Sequence, residues 1–290
     1  HSPMSTLQDN KKKSSRRIIL PTSFSSDFIP QLAELNSQFH DRKVFEIYGS
    51  MQHGSFHSAR PAKYLPLIDK AQFKTHVQQA LDHRIQFNYM LNAPSYANYE
   101  YTSEGRRELA ELLAFLCDCG VSSVTVAAPY LVEIISSTFP DLEVVVSTIG
   151  YVGAKRGIDQ FTEAGAGRVV LDVEVNRDFA FLKHVISKTI TDLEIVVNPV
   201  CLYQCHFKFN HYCTAAFGAQ PHKNGCGRPY NQYYLNWCYL EKLKNIGEFM
   251  RSPWVRPEDL PLYEAFGLHH FKIAGRGLSD DELLSRAKFY

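Results

Sequence analysis

No apolar run in the 290 residues approaches the 18 or more that a membrane-spanning helix needs. The beginning of the chain lacks the apolar core of a secretory signal, so a cytoplasmic protein is expected. An excess of charge of one sign is also missing: 31 Lys and Arg face 30 Asp and Glu, a net of +1. Lys11, Lys12, Lys13, Arg16 and Arg17 all fall near the start against Asp9 alone. The rest of the chain is therefore slightly negative and carries no charge pattern for tight binding to bare nucleic acid. No strand-like segment is followed by a glycine-rich dinucleotide fingerprint, and neither a Gly-x-Ser-x-Gly elbow nor a His-Glu-x-x-His helix occurs. What is present is 45% hydrophobic and 21% charged residues, enough for a globular chain with a sizeable core. His1, Ser2 and Pro3 ahead of Met4 read as a cloning remnant, and the polar stretch to Arg17 reads as a solvated basic tail.

Short apolar runs recur with helical stretches between them. Val44–Ser50, Arg84–Asn92, Ser123–Pro129, Leu142–Thr148, Arg168–Val175 and Leu193–Asn198 read as strands, with a helix over 70–82 between the first two. Trp254–Arg256 reads as a seventh strand and Phe271–Arg276 as an eighth. Strands separated by helices imply parallel pairing. Eight of them favour an α/β fold of the closed TIM-type (β/α)8 barrel class over a doubly wound sheet. The barrel is expected over 43–277, after a tail and lead-in at 1–42 and before a C-terminal helix at 278–290. A cysteine-rich insertion at 199–250 follows the sixth strand.

In such a barrel, chemistry gathers where strands end. The addresses are Tyr48 and Ser50, Tyr89 and Asn92, Pro129, Ser147 and Thr148, Glu174 with Asn176–Asp178, Asn198, Arg256–Asp259, and Lys272 with Arg276. Seven cysteines are an odd number for a secreted disulfide framework, and Cys201, Cys205, Cys213, Cys226 and Cys238 crowd one segment. Reduced thiols at one place point to a metal, an iron-sulfur cluster ahead of zinc, with unliganded packing as the third reading. His206 and His211 read as hydrogen-bonded structural residues, with a ligand role as the alternative. Cys117 and Cys119, at the end of a helix, read as small buried hydrophobes.

Several ordered motifs resemble the collagenase-like peptidase family U32. They are Glu46-Ile-Tyr-Gly-Ser50, Phe87–Asn92, Gly120-Val-Ser-Ser-Val-Thr-Val-Ala, Asn176–Phe179, Asn198-Pro-Val-Cys-Leu-Tyr-Gln-Cys205 with His211-Tyr212, Trp254–Leu260 and Phe271–Arg276. The Gly-Ser-hydrophobic-Cys signature of the family's peptidases is absent. The resemblance implies a TIM-type barrel and a 4Fe-4S cluster, with zinc as the alternative. By position it implies ligation by Cys201, Cys205, Cys238 and Cys213, with Cys226 in reserve. It further implies an oxygen-independent hydroxylase or oxidoreductase acting on a small molecule, nucleobase or peptide in the barrel mouth. Peptidase activity, or a non-catalytic iron-sulfur subunit working with a homologous partner, are the alternatives. Arg177, Arg256, Lys272 and Arg276 are then the candidates to hold an anionic substrate or oxygen donor. Against that, Arg177 beside Asp178 and Glu258-Asp259 after Pro257 also suit helix starts. The electron donor is not legible.

Overall fold

A computed structural model describes residues 16–40, 42–52, 54–219 and 231–290. Cys226 and the run Lys11–Lys13 lie outside these residues. Eight parallel strands close into a barrel in chain order. They are β1 (Arg16–Pro21), β2 (Arg42–Gly49), β3 (Gln86–Leu91), β4 (Ser123–Val126), β5 (Glu143–Val146), β6 (Arg168–Val170), β7 (Asp192–Val196) and β8 (His270–Lys272). Between consecutive strands run α1 (Phe28–Ser37), α2 (Lys70–Asp82), α3 (Ser103–Cys119), α4 (Pro129–Thr138), α5 (Lys155–Glu163) and α6 (Phe179–Ile186). The β7–β8 connection carries α7 (Lys208–Phe217), α8 (Tyr233–Lys244), α9 (Gly247–Arg251) and α10 (Leu260–Phe266), and α11 (Asp280–Phe289) follows β8. Among the described residues no helix is long and apolar enough to cross a membrane.

Two strands differ from the sequence reading. The first is β1, inside the segment expected to be lead-in. Its basic start is neutralised within the fold: Arg16 Nε lies 2.6 Å from Glu264 Oε1, and Arg16 Nη1 donates to the Tyr290 carbonyl at 2.6 Å. Conversely, Trp254–Arg256 is not a strand. Val255 N donates to Val197 O at 2.7 Å, but no ladder extends from that bond, and β8 pairs directly with β7 and β1. The cysteine-bearing connection accordingly leaves the seventh strand, not the sixth.

The strands are buried on both faces, as parallel strands covered by helices must be. Their outward residues, including Ile47, Phe87, Tyr89, Val124, Val144, Val169, Ile195 and Phe271, form one core with Phe28, Phe73, Leu113 and Leu131 from the helices. Inward residues are different in kind. Val145, Val170 and Val196 make one small cluster and Ile19, Tyr48 and Met90 another, both near the strand ends. Beneath them the lumen is ionic. Arg168 reaches Glu46 at 2.6 Å, Glu143 at 2.9 Å and Glu194 at 3.1 Å. Asn88 and Ser123 donate to the two Glu46 oxygens, each at 3.0 Å, and Thr125 donates to Asn88 at 2.7 Å.

Helix starts are satisfied locally. Asp69 with Gln72 and Ser279 with Glu282 form capping boxes on α2 and α11. Asn176, after β6, is a joint between elements: its Nδ2 donates to Val196 O at 2.7 Å and Pro253 O at 2.8 Å, and its carbonyl accepts from Tyr263 at 2.8 Å. Asn176→Ala is expected to leave two buried carbonyls unpaired and to destabilise by about 1–3 kcal/mol, read from denaturant midpoints at unchanged slope.

Candidate active site at the barrel mouth

Inside the mouth, at the C-terminal ends of the strands, lies a cavity of about 560 Å³, a size suited to a small molecule. Its floor includes Tyr48, Met90, Val170, Val196 and Lys272. Tyr48 donates to Ile273 O at 2.9 Å, and burial pushes its phenol up to about 12 despite the nearby Arg276 and Arg60. Lys272 lies 4.4 Å from the Tyr48 ring centroid and 3.4 Å from Glu194 Oε1, which ties it to the lumen network. Burial lowers its pKa and Glu194 opposes that shift. Asn92 is held on the rim by donating to Ser147 Oγ at 3.1 Å and accepting from Ala59 N at 3.2 Å.

A second, smaller cavity of about 180 Å³ adjoins the first. Cys201, Cys205 and Cys238 all line it, with Phe207, Tyr234 and Trp237 as apolar walls. The two cavities share Val200, Cys201, Tyr212 and Tyr239. The local fold explains how Cys-x3-Cys turns both sulfurs inward. Gln204 takes the left-handed conformation, φ 55°, which a non-glycine residue adopts at a cost. Its N–H is anchored to Glu174 Oε2 at 2.9 Å. Further along, Ser252 Oγ donates to Cys201 O at 2.7 Å, and Lys242 Nζ donates to Val200 O. Burial, then the like charge of Cys238, pushes the Cys201 thiol up to about 11, with Lys242 and Lys208 pulling the other way.

Cys213 does not line that cavity. Its charge, like that of Cys201, raises the Tyr151 phenol after burial does. His211 does line it, stacked on Tyr212 with centroids 5.5 Å apart. Of the earlier thiols, Cys119 is buried and Cys117 is exposed, so only one of that pair packs as a hydrophobe.

The family model described as peptidase family U32 matches residues 68–290. The chain belongs to peptidase family U32. A relative, "Uncharacterized protease MJ1657" of Methanocaldococcus jannaschii, is 28% identical over 249 residues, covering 86% of this chain and 71% of its own. The solved structure of the U32 peptidase Mk0906 superposes with a TM-score of 0.62 at 19% identity, covering 94% of this chain and 98% of its own. At that identity the likeness concerns the fold.

Within this U32 barrel, two of the four basic candidates lie on the mouth cavity and two do not. Lys272 and Arg276 line it. Arg177 donates to Arg251 O at 2.7 Å, and Arg256 forms a surface fork to Asp259 at 2.6 and 2.8 Å. Neither lines the mouth cavity: Asp178 caps α6 by accepting from Phe181 N at 2.9 Å while Arg177 turns away from it to Arg251 O, and Arg256 pairs with Asp259 just before α10. Tyr89 faces outward into the core and accepts from Met51 N at 3.3 Å. Arg60 and Arg286, which also line the cavity, went unread because they come from the loop after β2 and from α11. Only ring closure brings those segments to the mouth.

Among the described residues no three His, Cys, Asp or Glu side chains converge closely enough to hold one metal ion. Cys201, Cys205 and Cys238, all on one cavity wall, are soft donors of the kind that an iron-sulfur cluster or a zinc ion takes.

Proposed function

We propose that this U32 protein is an iron-sulfur-dependent oxidoreductase, of the oxygen-independent hydroxylase type, acting on a small substrate in the barrel mouth. The observation that carries the reading is the shared wall: Cys201 lines both the thiol cavity and the mouth cavity. Cys201, Cys205 and Cys238 would hold the cluster. When bound, a cluster supplies single electrons at a potential tuned by burial and by hydrogen bonds to its sulfurs. Phe207, Tyr234 and Trp237 would give it apolar walls, while Tyr212 and Tyr239 would stand between it and the mouth. Asn92 and Tyr48 orient what enters the mouth.

Peptidase activity is the second reading, favoured by the names of the relatives. It finds less support in the side chains. A thiol pushed up to about 11 is a poor nucleophile at neutral pH. A hydroxyl-imidazole pair exists between Thr22 Oγ1 and His76 Nε2 at 2.7 Å, but it is buried against α2 and does not line the mouth.

Anaerobic purification separates the readings. A brown protein with broad absorption near about 400 nm and about four irons per chain is expected. A colourless, iron-free protein that cleaves peptides would overturn the proposal in favour of the hydrolase.

A further inference from the structure

The cations on the mouth cavity stand apart from the ion-paired ones of the fold. Arg16, Arg168, Lys208 and Arg256 each meet a carboxylate within 3 Å. On the mouth cavity stand Arg60, Lys272, Arg276 and Arg286, and no aspartate or glutamate is among its described lining residues. Of the four, Lys272 alone has a carboxylate within 4 Å, Glu194, which it shares with Arg168, while Glu282, one turn before Arg286 on α11, acts on that arginine from farther away.

Arg276 is the centre of the group. Its Nη1 is buried without a hydrogen-bond partner. Burial works against its charge, with only the phenols of Tyr48 and Tyr212 as compensation. Arg60 is held beside it: Nη2 donates to Arg276 O, Nε donates to Tyr64 O at 3.2 Å, and the guanidinium lies over the Tyr64 ring at 5.5 Å. Burial and the like charge of Arg276 both act against the charged form of Arg60. Gly277 makes room for this approach. At φ 95° it suits glycine, and a Cβ there would meet Arg60 Nη2 at 2.5 Å. Two guanidinium groups whose like charges oppose each other in one concave site, one of them with an unused donor, cost free energy that an anion between them offsets.

We infer that this wall is a receptor for an oxyanion, a carboxylate or phosphate carried by the mouth ligand, gripped by Arg276 and Arg60 with Lys272 and Arg286 in support. This deepens the function proposed above, since an anchor on the β8 side directs the ligand's other end across the cavity toward Cys201 and Tyr212. The grip comes from side chains and not from a helix end. Barrels commonly bind phosphate near the loops after strands seven and eight, at a helix N-terminus. Here the first turn of α11 holds Asp280, Asp281 and Glu282, and Ser279 already caps it, so that terminus repels anions.

Calorimetric titration of the full chain tests this, with inorganic phosphate and malonate as probes and neutral malonamide as the control. Phosphate, malonate or both are expected to bind, the tighter one naming the source of the oxyanion, while malonamide does not. Arg276→Gln is expected to weaken binding about tenfold or more, while Arg256→Gln, on the surface, leaves it unchanged. Should Arg276→Gln fail to fold, the unaltered protein supplies the test: raising chloride is expected to weaken the anion's binding progressively by competition and screening. Malonamide binding as well as malonate, no anion binding at all, or Arg276→Gln or high chloride leaving affinity unchanged would each overturn the inference. The titration needs no iron, so anion binding by a colourless protein would leave the oxyanion site standing and remove only the cluster.

Discussion

Arg168→Met lowers stability by about 3–5 kcal/mol and Tm by on the order of 10 °C, measured by denaturant and thermal unfolding. The reason is what the substitution leaves behind. Glu46 and Glu194 are fully buried in the lumen and meet Arg168 at 2.6 and 3.1 Å. Burial by itself opposes the charge on Arg168, yet Glu46, Glu194 and Glu143 together drive its pKa upward. Methionine fills much of the same volume but strands two carboxylates in a low-dielectric interior, with Lys272 left to answer Glu194 alone. The origin of the cost is separable. Adding Glu46→Gln and Glu194→Gln to Arg168→Met is expected to restore part of the loss, because neutral amides tolerate burial with fewer partners. A single variant within about 1 kcal/mol of the unaltered protein would mean that the lumen carboxylates are neutral and that the ion network is not what closes the base of the barrel.

That network also marks where reading the chain stopped short. Glu46, Arg168 and Glu194 stand inside three of the strand segments, at alternating positions among valines and isoleucines. The alternation is what a polar lumen inside an apolar shell requires, and it was the available signal. Parallel order and the count of eight followed from helices recurring between apolar runs, and the α2 helix matched its expected span of 70–82. The first and seventh strands were misplaced for opposite reasons. β1 begins with Arg16-Arg17, which looks like a tail until Glu264 and Tyr290 arrive beside it. Trp254–Arg256 has the composition of a strand but only one bond to Val197. At the site, local spacing exposed Cys201 and Cys205, because one left-handed residue between them suffices to turn both inward. Arg60 and Arg286 were invisible, since no local pattern distinguishes an arginine that closure brings to the mouth from one that faces water.

Serine in place of Cys201, Cys205 or Cys238, each tested singly after anaerobic purification, is expected to reduce iron from about four per chain to below about one and to bleach the absorption near about 400 nm. Cys213→Ser is expected to keep both, because that thiol does not line the cavity the other three share. The pattern matters more than any one loss. A metal-free packing role predicts four colourless proteins with small differences in stability, since a buried thiol and a hydroxyl differ little in volume. A single zinc predicts about one metal ion per chain in the unaltered protein. Loss of iron in Cys213→Ser as complete as in Cys238→Ser would make Cys213 a fourth ligand beside the three that line the cavity. Retention in Cys213→Ser with loss in the other three would leave Cys201 as the sulfur through which the cluster faces the substrate. The Tyr212 and Tyr239 rings beside it would form the partition between the two.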